Sequence, residues 1–60
     1  MRRVVVVDDE PITRMDICEI LREGGYEVAG EAADGFDAIE QCKKHSPDFV
    51  MMDVKMPILD

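Results

Sequence analysis

Three aspartates stand where apolar runs stop, and their chemistry is that of a hard-cation or phosphoryl site. Val4–Val7 runs directly into Asp8-Asp9-Glu10, and the stretch FVMMDVKMP (Phe49–Pro57) breaks at a single carboxylate, Asp53. A short apolar run bounded by breakers suits a buried parallel strand. In open α/β sheets, ligands bind beyond the carboxyl ends of the strands. Two strand ends would thus bring Asp8, Asp9 and Asp53 to one site. Magnesium takes oxygen ligands, typically one or two carboxylates with water and phosphate oxygens completing the shell. A carboxylate can also act as a nucleophile towards phosphorus when a cation neutralises the incoming group. Asp53 is the candidate for either role.

The elements that must position these acids follow in order along the chain. Arg2–Val7 predicts a strand that is apolar on both faces, hence central. Pro11 fits the first turn of a helix, where its missing N–H costs nothing, and Ile12–Glu23 predicts that helix. Its apolar residues Ile12, Met15, Ile17, Cys18, Ile20 and Leu21 form a broad sector, with Thr13, Arg14, Asp16, Glu19, Arg22 and Glu23 filling the remainder. Gly24-Gly25 ends it, since glycine takes the left-handed cap cheaply. Tyr26–Ala32 alternates weakly and is interrupted by Gly30, the pattern of an edge strand. Asp34-Gly35 signals a helix start, Phe36, Ala38, Ile39 and Cys42 recur at helical spacing, and Lys43-Lys44 suit its C-terminus. Ser46-Pro47-Asp48 is a loop before the Phe49 strand. Strand, helix, strand, helix, strand with short connections implies a parallel α/β sheet.

Composition narrows the function classes. Fourteen acidic residues against seven basic ones give a net charge of −7 among 60 residues. Scattered Arg and Lys offer no stripe for nucleic acid. Cys18 and Cys42 form no CxxC pair or disulfide framework. They read as small buried hydrophobes. No signal-peptide pattern appears, and no apolar stretch approaches the roughly 20 residues of a membrane helix, so a cytoplasmic setting is expected. Sixty residues allow one core and bury only about 60% of the unfolded surface, which predicts marginal stability or self-association for these residues alone. The apolar third strand would also leave an unpaired edge.

Taken together, VVVVDDEP, EAADGFDAIE and PDFVMMDVKMPILD, in this order and spacing, resemble the N-terminal half of a receiver domain of two-component response regulators. The resemblance covers essentially all 60 residues. It implies a flavodoxin-like (CheY-like) doubly wound parallel sheet of which these residues supply the first three of five strands, a partial receiver domain over 1–60. It implies that Asp53 accepts a phosphoryl group from a histidine kinase or phosphotransfer protein. It further implies that Asp9 coordinates Mg2+ directly, Asp8 through water, and Lys55 through its backbone carbonyl, with Pro57 shaping that loop. The strand-four Ser/Thr, the strand-five Lys and the switch aromatic of the family fall outside these residues. So does the output domain that phosphorylation would switch. ITRMDICEIL is most similar to receivers joined to an RNA-binding antitermination output.

Such a protein is a phosphoacceptor with self-catalysed phosphotransfer and not a turnover enzyme. Metal-dependent aspartyl-phosphate phosphatases are an alternative, but they carry nucleophile and acid on the first strand as D-x-D. Here the acids are adjacent and the nucleophile lies on the third strand. A phosphorylation-independent interaction module is the other alternative, and the presence of all three acids argues against it.

Overall fold

The computed structural model describes residues 1–52. Five elements follow in order: strand β1 (Arg3–Val7), helix α1 (Pro11–Glu23), strand β2 (Glu27–Ala32), helix α2 (Gly35–His45) and strand β3 (Phe49–Met52). The strands form one parallel sheet in the order β2-β1-β3. This is the flavodoxin-like beginning expected from the sequence, with β1 central and β2 at an edge.

Alternation of side chains across β1 explains both the sheet and its cover. Val4 and Val6 face a cluster with Cys18 and Leu21, flanked by Ile17, Tyr26, Val28 and Phe49. Val5 and Val7 face the other side, with Ala32 and Ala38. The two helices thus cover opposite faces, and all four valines are fully buried. Each such side chain contributes roughly 1.5–3 kcal/mol by leaving water. That is why a strand without polar alternation is stable here.

Local signals set the helix ends. Pro11 opens α1 without a side-chain cap from Glu10. At the other end Tyr26 N–H donates to Leu21 O at 3.0 Å and Gly25 N–H to Arg22 O at 3.1 Å. This paired closure is a Schellman motif, and Gly25 supplies the required left-handed residue at φ 90°. Asp34 caps α2 by accepting from the Asp37 amide at 2.8 Å. Ser46, at φ 47°, closes the helix with its amide on Cys42 O.

Two packing expectations change. The broad apolar sector of α1 is only partly core: Cys18 and Leu21 are buried and Ile17 half-buried, while Ile12, Met15 and Ile20 are exposed. One helix on one sheet face buries a narrow arc, whatever the width of its apolar sector. Likewise β3, expected as a buried strand, has Phe49 half-buried and Val50, Met51 and Met52 exposed. A strand is buried only when neighbours cover its faces and edges, and among the described residues β3 pairs with β1 alone.

Gly30 has a packing reason beyond marking an edge. The register passes from Val4 opposite Val28 to Val5 opposite Gly30, so Ala29 is an extra residue in β2. A Cβ on Gly30 would stand 2.6 Å from Gln41 Oε1 and 3.0 Å from His45 Cδ2. Glycine lets α2 lie close against the strand.

Candidate functional site

At the carboxyl end of the sheet, Val7 pairs with Ala32 on one side and Met52 on the other. Asp8 follows Val7, and its backbone N–H continues the ladder by donating to Ala32 O at 3.0 Å. The chain then turns. Asp8 Oδ1 accepts the Glu10 amide at 2.8 Å at the entry to α1, while the Glu10 side chain caps none of the helix amides. The Glu10 side chain instead lies 3.4 Å from the Thr13 hydroxyl, which donates to it. Glu10 and Asp9 are both exposed.

Asp8 is fully buried, and among the described residues its second oxygen, Oδ2, has no hydrogen-bond partner. Buried polar atoms are almost always paired, because stripping water from them without replacement costs free energy. An unpartnered carboxylate oxygen at a strand end is therefore suited to a cation or a cation-bound water. The adjacent exposed Asp9 adds a second hard ligand set. Among the described residues no three Asp, Glu, His or Cys side chains converge as a metal site. Asp53 and Lys55, the other expected ligands, lie outside the described residues, as do Pro57 and Asp60. The donor chemistry of Asp8 and Asp9 fits magnesium, which uses one or two protein carboxylates and keeps waters.

Arg14 is the residue that the sequence pattern assigned to the solvent side and the structure draws inward. Its side chain is only 20% exposed; Nε lies 3.2 Å from Glu31 Oε1. Its Nη1 donates to the backbone carbonyl of Asp8 at 2.7 Å. The signal available in the sequence was a single arginine one turn into the helix that follows the acidic pair. Cys18 lies deeper on the same helix. Burial first, and then the Glu31 carboxylate, push its thiol above the ordinary range. That supports a packing role, and both cysteines are free. His45 joins the opposite pole, where its carbonyl accepts from Arg3 Nη1; Arg3 also pairs with Glu27 at 2.9 Å. No helix of the described residues is long and apolar enough to cross a membrane.

The parallel order, with acids placed after the central strand, defines a doubly wound α/β protein with a strand-end acidic site. The sequence matches the response regulator receiver domain over residues 4–60, and the chain belongs to that family. It is 56% identical over 59 residues to transcriptional regulatory protein PdtaR of Mycobacterium tuberculosis, covering 98% of this chain and 29% of that protein. It is 48% identical over 58 residues to chemotaxis protein CheY of Bacillus subtilis, covering 97% of this chain and 48% of CheY. Among solved structures it superimposes on a chain from the complex of the CheA3 P1 domain with CheY6 from R. sphaeroides. The TM-score is 0.86 at 26% identity, covering 98% of this chain and 47% of that one. The chain thus spans less than half the length of these relatives.

Proposed function

We propose that this chain is the phosphoacceptor part of a two-component response regulator, with Asp53 taking a phosphoryl group from a histidine kinase or phosphotransfer protein. The observation that carries this reading is the buried Oδ2 of Asp8 at the carboxyl end of the central strand, which has no partner among the described residues. Family membership places that observation in a signalling domain. Asp53 stands one peptide bond beyond Met52, the register partner of Val7, as Asp8 stands one beyond Val7.

In this reading Asp8, Asp9, Asp53 and the carbonyl of Lys55 hold Mg2+. When bound, the cation offsets negative charge on the phosphoryl oxygens. The Asp53 carboxylate attacks phosphorus, an O–P bond forms, and the N–P bond of the donor phosphohistidine breaks. The N–P electron pair goes to the donor imidazole, which takes its proton from water. Asp8 is locked by the Glu10 amide, so it can present Oδ2 without reorganising. The product is a stored signal and not a released compound, so the chain is an acceptor and not a turnover enzyme.

The complex containing the CheA3 P1 domain supports a kinase or phosphotransfer protein as partner. Similarity to a transcriptional regulatory protein supports an output in gene expression, carried by sequence beyond these residues. A cytoplasmic location accords with such a partner.

Intact mass spectrometry of the full-length protein with Mg2+ and a small phosphodonor tests the assignment. One added phosphoryl group is expected, lost with EDTA and lost in Asp53→Asn. Retention of the modification in Asp53→Asn would sink the choice of nucleophile.

A further inference from the structure

We infer that Arg14 is a positioning residue for the acidic loop: braced by Glu31, its guanidinium fixes the Asp8 carbonyl and thereby sets the orientation of Asp9. The inference rests on the proposed Mg2+ site and adds a residue to its support.

Consider how the Asp8 backbone is held. Its N–H donates to Ala32 O at 3.0 Å, and its C=O accepts from Arg14 Nη1 at 2.7 Å. Its Oδ1 is taken by the Glu10 amide. Among the described residues every polar group of Asp8 is thus fixed except Oδ2. The carbonyl of Asp8 and the amide of Asp9 belong to one planar peptide unit. Fixing the Asp8 oxygen therefore fixes the plane from which Asp9 departs.

Arg14 is itself held. Its Nε meets Glu31 on β2, and its helix turn is anchored by the Arg14 amide on Glu10 O at 2.9 Å. One rigid guanidinium reaches in two directions, to a carbonyl beyond β1 and a carboxylate on β2. A lysine ammonium is a point charge on a flexible stem and lacks this fork. The positive charge points at a backbone carbonyl and not at the Asp8 carboxylate, so geometry is the role assigned to it.

Charge alone would act in the opposite sense. A cation near a Mg2+ site repels the metal, so removing it would tighten binding. The two roles therefore predict opposite signs.

The test is Mg2+ titration of the full-length protein, followed by the backbone amide signals of Asp9 and Glu10, in wild type, Arg14→Lys, Arg14→Gln and Glu31→Gln. Metal-free spectra of each variant report whether the sheet is intact, and Glu31→Gln, which leaves Arg14 in place, provides a milder variant. Positioning predicts that both Arg14 variants bind Mg2+ roughly tenfold more weakly, the lower range for groups that orient metal ligands. Glu31→Gln should weaken it less, with the Asp9 amide shifted even without metal. Unchanged or tighter binding in Arg14→Gln, or full affinity in Arg14→Lys, would overturn the positioning role. No response in wild type would overturn the metal site as well, which separates the two failures.

Discussion

Asp8 Oδ1 accepts the Glu10 amide at 2.8 Å while Oδ2 of the same carboxylate is buried without a partner among the described residues. One oxygen thus turns the chain from β1 into α1, and the other is left for a ligand. The two duties can be separated by substitution.

In Asp8→Asn the amide oxygen can keep the Glu10 bond while the charge disappears. An unpaired buried amide group costs less than an unpaired buried carboxylate. We expect metal-free stability to rise by on the order of 1 kcal/mol, and stabilisation by Mg2+ to fall. Urea unfolding of the full-length protein with EDTA and with Mg2+ measures both. A destabilised metal-free variant would show that Oδ2 is not a strained group.

Asp34 caps α2 through one bond to the Asp37 amide at 2.8 Å. Asp34→Ala should cost about 1 kcal/mol, the usual value of a lost cap. Asp34 stands two residues beyond Ala32, whose carbonyl accepts the Asp8 amide. Its carboxylate, however, is committed to the Asp37 amide, so the loss should fall mainly on helix stability and much less on Mg2+ affinity. Paired denaturation and metal titration check the separation.

Gly30 sits under Gln41 and His45 with no room for a branched side chain. Gly30→Val should destabilise by about 2 kcal/mol through overpacking. Adding Gln41→Ala should recover part of this, because the nearest obstacle is the end of that side chain. A neutral Gly30→Val, read by thermal unfolding, would mean that α2 is not held close to β2.

The Cys18 thiol is raised above its usual 9.0 by burial and by Glu31. The protonated form is favoured in the fold more than in the unfolded chain. Its contribution to stability is therefore intact below about pH 9 and is lost as pH rises through the folded value. Cys18→Ala should show a flatter alkaline stability limb than wild type. Native alkylation at pH 8 should also reach the half-buried Cys42 before Cys18. Equal labelling rates would contradict the burial argument.

What could be read from the chain alone were features written within one or two turns. Four consecutive valines between breakers announced a central strand, and the structure buries all four. Pro11, Gly24-Gly25 and Asp34-Gly35 marked helix ends within a residue, because capping and left-handed backbone are local demands. The parallel order followed from alternating strands and helices joined by short loops. The acidic pair was legible as a strand-end feature, and the structure sets Asp8 directly after β1; Asp53, the other member of the expected site, lies outside the described residues.

Tertiary structure decided the rest. Adjacent Asp8 and Asp9 are the same residue type, and neither composition nor periodicity separates their burial, yet Asp8 is fully buried and Asp9 exposed. The turn into α1, and not the residue type, separates them. Ile12, Met15 and Ile20 match Cys18 and Leu21 in hydropathy but lie outside the arc that meets the sheet. Arg14 and Glu31 are 17 positions apart, and no periodicity links them. They meet because α1 returns across the sheet to the β2 side, and only that crossing gives the guanidinium both Glu31 and the carbonyl of Asp8. Sequence pattern specifies what each segment can bury or expose; which neighbour it finds depends on how the segments cross.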